Sequence, residues 1–88
     1  FFLDLFRIKQ KSPNPFNNST SIQISSSKVV DGVFEIINIT GQTVYQQQIN
    51  DINGTKEINI SRNDLRSGVY FYKLTVGSKV LTKKMIIE

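Results

Sequence analysis

The groups in this 88-residue chain that could do acid–base chemistry are seven carboxylates: Asp4, Asp31, Glu35, Asp51, Glu57, Asp64 and Glu88. Hydrolysis by a carboxylate pair needs two of them close together in a cleft. Asp31, Asp51 and Asp64 instead stand in turn sequences, where aspartate is favoured because its side chain bonds the nearby backbone. There is no histidine, so the commonest general base and the commonest zinc ligand are both missing. There is no cysteine either, which excludes a thiol nucleophile, a thiolate metal site and a disulfide scaffold. Asp51-Ile52-Asn53-Gly54 has the opening of a calcium loop but lacks the later acidic ligands and the closing glutamate, so it reads as a turn. The five glycines are scattered singly rather than gathered into a phosphate-binding loop. Asn17, Asn18, Asn38, Asn53 and Asn59 each head an N-x-Ser/Thr pattern, as chance allows in a chain so rich in these residues. The residues contain no catalytic set and call for no cofactor or metal.

Binding is the remaining chemistry. The net charge is +4, and Lys73, Lys79, Lys83 and Lys84 fall near the C-terminal end, with Arg62 and Arg66 just before them. Such a cluster suits an anionic partner. On a small sheet, outward lysines also keep the fold soluble and discourage edge pairing, which is the simpler account. Tyr70-Phe71-Tyr72-Lys73 has the composition of a stacking platform for single-stranded nucleic acid. Strand alternation, however, puts Tyr70 and Tyr72 on the face of Leu74, the core face, leaving Phe71 and Lys73 outside. A nucleic-acid partner is therefore not expected. Exposed Phe71 with Tyr45 could instead stack on sugars, giving an adhesion or carbohydrate-binding module as the alternative reading.

The elements that position these residues are strands. Residues 65–74, Leu-Arg-Ser-Gly-Val-Tyr-Phe-Tyr-Lys-Leu, carry the densest apolar alternation and form the central strand. Further strands are expected over 20–24, 33–39, 42–49, 57–60 and 79–87. The stretch 25–28 reads as a loop, and turns are expected at Asp31-Gly32, Thr40-Gly41, Asn53-Gly54 and Gly77-Ser78. The expected fold is all-β, a small immunoglobulin-like antiparallel β-sandwich of six to seven strands. With 39% hydrophobic residues the chain is a single domain with a thin core, burying about 60–65% of its unfolded surface. Residues 1–11 read as a linker or leader from an upstream region, or as an extra edge strand. Opening on Phe1 rather than Met, the chain reads as a piece of a longer protein. Its first apolar run is interrupted by Asp4 and Arg7 and is far short of the ~20 residues of a membrane helix, so no membrane span is expected.

Four motifs in order carry a family resemblance. Pro13-Asn14-Pro15-Phe16, followed by Thr20 and Ile22, resembles the opening motif of the C-terminal sorting domains of the type IX secretion system of Bacteroidetes. Gly41-Gln42-Thr43-Val44 is similar to the mid-domain turn of that family. Residues 65–74, with Gly68, Tyr70, Tyr72 and Leu74, resemble its most recognisable strand. Thr82-Lys83-Lys84-Met85-Ile86-Ile87 resembles its closing strand. The resemblance covers residues 12–88, with one departure: Ser12 stands where the family usually has tyrosine. It implies a recognition module rather than an enzyme. Its partners would be an outer-membrane shuttle, a sortase that removes the domain, and an N-terminal cargo in the same polypeptide. The destination would be the cell surface or the medium, reached through the periplasm. Lys83 and Lys84, with the final strand, are the residues expected to form part of the surface that is read.

Overall fold

The computed structural model describes residues 6–10, 18–62 and 65–88; the opening motif Pro13-Asn14-Pro15-Phe16 lies outside them. Among the described residues five strands form, not six or seven: β1 (Phe6–Gln10), β2 (Ser19–Asn38), β3 (Thr43–Ser61), β4 (Gly68–Val76) and β5 (Lys79–Ile87). All pairings are antiparallel. Phe6–Gln10, which the sequence allowed as linker or edge strand, pairs as β1 with residues 22–26 of β2.

The lower strand count has a local cause. The stretches expected as loop and turn, 25–28, Asp31-Gly32 and Asn53-Gly54, do not end strands; they are irregularities within the long β2–β3 ladder. Register shifts fall between Ser26 and Val30 and between Val30 and Gly32. Ser26 donates its hydroxyl to the Lys28 carbonyl (2.6 Å) and accepts from the Lys28 N–H (3.2 Å), satisfying backbone groups that the interrupted ladder leaves over. Opposite, Asp51 adopts φ 55° and Gly54 φ 75°, and Asp31 accepts the Asp51 N–H at 2.9 Å. Small polar residues and glycine permit left-handed backbone in a bulge as readily as in a hairpin turn. Here they bend a paired ribbon instead of reversing it.

The bend divides the sheet. The first half of β2 lies between β1 and the second half of β3; its second half lies between the first half of β3 and β4, with β5 beyond β4. The curled sheet makes a small β-sandwich with one core. Ile8, Ile22, Ile24, Ile58 and Ile60 come from one half and Phe34, Ile36, Tyr72, Leu74, Met85 and Ile87 from the other. Each such side chain, fully buried, contributes about 1.5–3 kcal/mol. Packing at the bend is close around Gly32: a Cβ there would lie 3.1 Å from Leu74 Cδ1 and 3.2 Å from the Thr75 carbonyl oxygen, so a larger residue would require these neighbours to give way by a few tenths of an ångström.

The expected turns at Thr40-Gly41 and Gly77-Ser78 are present. Asn38 Oδ1 accepts from the Thr40 N–H, the Thr40 hydroxyl and the Gln42 N–H, at 3.1, 2.8 and 2.9 Å. That side-chain cap, with Gly41 at φ 91°, turns β2 into β3 and leaves Ile39 exposed in the turn rather than in the strand.

Candidate functional site

The sequence singled out the last two strands. β4 begins at Gly68, and Tyr70, Tyr72 and Leu74 alternate onto the core as the pattern required. Tyr70 donates its hydroxyl to the Arg66 carbonyl four residues upstream at 2.8 Å, which fixes how the chain enters the strand. A tyrosine hydroxyl bonded back to upstream backbone at a strand start also occurs in immunoglobulin-like sandwiches. Tyr72 is 2% exposed, with its ring 6.3 Å from that of Phe34. Burial pushes its hydroxyl pKa up, and a hydrogen bond with the Gln10 backbone on β1 partly offsets this. Tyr72 therefore ties β4 to the opposite half of the sandwich.

On the outer face of β4, Phe71 is half-buried and Lys73 lies 3.4 Å from Glu35, its cross-strand partner. Glu35 also accepts the Thr43 hydroxyl at 3.3 Å. Lys73 is thus already engaged with a carboxylate.

β5 pairs with β4 across Gly68↔Ile87 to Val76↔Lys79. Met85 and Ile87 are buried, while Thr82, Lys83 and Lys84 are three consecutive exposed residues. Cross-strand partners share a face of a sheet. Lys83, opposite Tyr72, is on the core side and Lys84, opposite Phe71, is on the outer side. The two lysines therefore straddle the strand instead of forming one patch. The same rule separates the two candidate sugar-stacking aromatics. Tyr45 pairs with Ile36 on the core side, its ring 6.2 Å from Phe34, whereas Phe71 pairs with Ile37 on the outer side. Tyr45 and Phe71 do not make one platform.

One residue of this region was read from the sequence only as a charge. Arg62 donates Nε to the Leu65 carbonyl (3.0 Å), Nη1 to the Glu88 carbonyl (2.6 Å) and Nη2 to the Ser67 hydroxyl (2.8 Å). It clasps the loop before β4 to the residue after β5. No spacing signals such a contact, because two of its three partners are backbone carbonyls brought near by the fold.

Among the described residues, no group of three or more acidic, His or Cys side chains could hold a metal ion. The residues of the calcium-like stretch lie in β3, where Asp51 is part of the bend. No helix among the described residues is long and apolar enough to cross a membrane.

What fold and strands define is a small all-β sandwich with a fixed central strand and an open, basic last strand. The family model for the secretion system C-terminal sorting domain matches residues 12–88. The chain belongs to this family, the sorting domains of type IX secretion, which is not a family of catalysts. No curated protein matches it. Nine solved chains do match. One is a β-glucosidase from Listeria innocua, in complex with glucose, similar at a TM-score of 0.56 with 12% identity. That match covers 93% of this chain and 16% of the enzyme, and at such identity it shows the fold alone.

Proposed function

We propose that the domain is an export address read as a folded surface. It directs an N-terminal cargo in the same polypeptide across the outer membrane through the type IX apparatus, ending at the cell surface or in the medium. An outer-membrane shuttle recognises it, and a sortase removes it. The domain proper spans residues 12–88, and residues 1–11 lead in from the cargo. The observation that carries this reading is the family match over residues 12–88. A feature that supports the reading is β5, which among the described strands pairs with β4 alone and carries three consecutive exposed polar residues, Thr82, Lys83 and Lys84. A partner strand laid along it meets Lys83 on one side and Lys84 on the other, so strand addition suits both lysines better than a flat contact. The motif residues Gly68, Tyr70, Tyr72, Leu74 and Met85 support that strand from β4 and the core rather than touch the reader, Gly41 serves the turn from β2 to β3, and Pro13, Asn14, Pro15 and Phe16 belong to the address as part of the family-matched stretch.

The test is a reporter fused ahead of the 88-residue chain in a type IX host, with matched strains lacking the shuttle or the sortase. The reading expects reporter outside the wild-type cell with the domain removed, reporter held inside without the shuttle, and uncut fusion without the sortase. Equal export from all three strains would overturn it.

A further inference from the structure

The curling of the sheet brings two of its outer strands, β1 and β5, to opposite sides of a cleft of about 450 Å³. Phe6 and Ile8 of β1 and Leu81 of β5 give it apolar walls. Arg7, Lys9 and Lys83 surround these, and no carboxylate among the described residues lines the cleft. None of the three cations has a side-chain hydrogen bond or ion pair with a described residue. Among the described strands β1 pairs only with β2 and β5 only with β4, so residues 6–9 and 81–83 have no ladder partner among these strands on their other edge. A second hollow, of about 410 Å³, continues past Phe6 and Arg7 to Gly54 and Thr55.

We propose that this cleft binds an extended, acidic segment of a partner protein. The segment lies extended along the edges of β1 and β5, sets apolar side chains on the side of Phe6, Ile8 and Leu81, and places its alternate carboxylates against Arg7 and Lys9, which alternate with Phe6 and Ile8 along β1. The inference rests on the reading of β5 as the recognised strand. It adds a second wall from β1, which lies upstream of the family-matched residues 12–88. Charge selects the occupant. A second copy of this chain, net +4, would bring like charge to a basic cleft. Lys83, beside Leu81 on the other wall, adds a third positive charge to the cleft.

The experiment titrates the isotopically labelled 88-residue chain with three capped octapeptides while following backbone amide shifts. One alternates glutamate and valine, one alternates lysine and valine, and one is all glutamate. The glutamate–valine peptide is expected to bind, to shift the amides of Phe6 to Lys9 and Leu81 to Lys83, and to lose affinity with added salt. The lysine–valine peptide is expected not to bind. Arg7→Glu combined with Lys9→Glu is expected to weaken binding by about tenfold or more, and Arg66→Glu, away from the cleft, to leave it unchanged. An unfolding midpoint measured on each variant separates lost binding from lost fold. Absence of binding by the folded chain, shifts confined to the outer face around Phe71, or equal affinity for octaglutamate would each overturn the proposal. Arg7 and Lys9 have no part in the export reading, so the two can fail separately. Export that depends on Lys83 and Lys84 without peptide binding removes only the cleft, and peptide binding with export indifferent to both lysines removes only the address.

Discussion

β4 and β5 are neighbouring strands of nine residues, paired along their whole length, yet they are built for different ends. β4 has a partner on each side over residues 70–75 and sinks Tyr70, Tyr72 and Leu74 into the core. β5 has a partner on one side and keeps only Met85 and Ile87 buried. Its middle is three exposed residues, one of them a lysine where the alternation calls for an apolar side chain. In a core strand that substitution would destabilise the fold; on an edge it leaves the strand soluble and legible to another chain. The contrast locates stability in β4, in a domain with little core to spare, and is the reason recognition is proposed for β5.

The contrast is broken most severely from the β4 side. Leu74→Ala removes a fully buried side chain packed on Gly32 and should cost about 2–5 kcal/mol, read as a lowered denaturation midpoint. Within a total of about 5–15 kcal/mol, that leaves a domain partly unfolded on warming. Arg62→Ala should cost about 1–3 kcal/mol, because it takes a charged donor from two carbonyls and a hydroxyl. Hydrogen exchange should then quicken first near Ile87 and Gly68, the paired ends that the clasp holds.

Tyr70→Phe deletes one hydrogen bond and keeps the ring, so about 0.5–1.5 kcal/mol is expected. Tyr72 adds a pH dependence. Its folded pKa is raised above 10.0 chiefly by burial, so its contribution to stability is complete below that value and is lost as pH rises through the folded pKa. Unfolding titrations carried above pH 10 should show this alkaline loss in the wild type and a shallower one in Tyr72→Phe.

Much of β4 was legible because alternation and burial coincide there: Tyr70, Tyr72 and Leu74 are where period two puts them. The turns at Gly41 and Gly77 were legible because each joins adjacent strands with local chemistry. The continuity of β2 and β3 was not. Asp31-Gly32 and Asn53-Gly54 carry the same residues whether the chain reverses or bulges, and only pairing between distant strands decides which. The separation of Lys83 from Lys84, and of Tyr45 from Phe71, follows from register alone once the partner strands are known. Arg62 left no trace in the sequence, since what it binds is chiefly backbone.

The central claim is that β5 is read and β4 only supports it. Lys83→Ala with Lys84→Ala should change stability by no more than about 0.5 kcal/mol, the smallest effect expected here, because both side chains are exposed. The direct measurement is the exported fraction of a reporter fused to this double variant in a type IX host, alongside the unfolding midpoint of the same domain. The account predicts an unchanged midpoint and lost export. Unchanged export at an unchanged midpoint would contradict it.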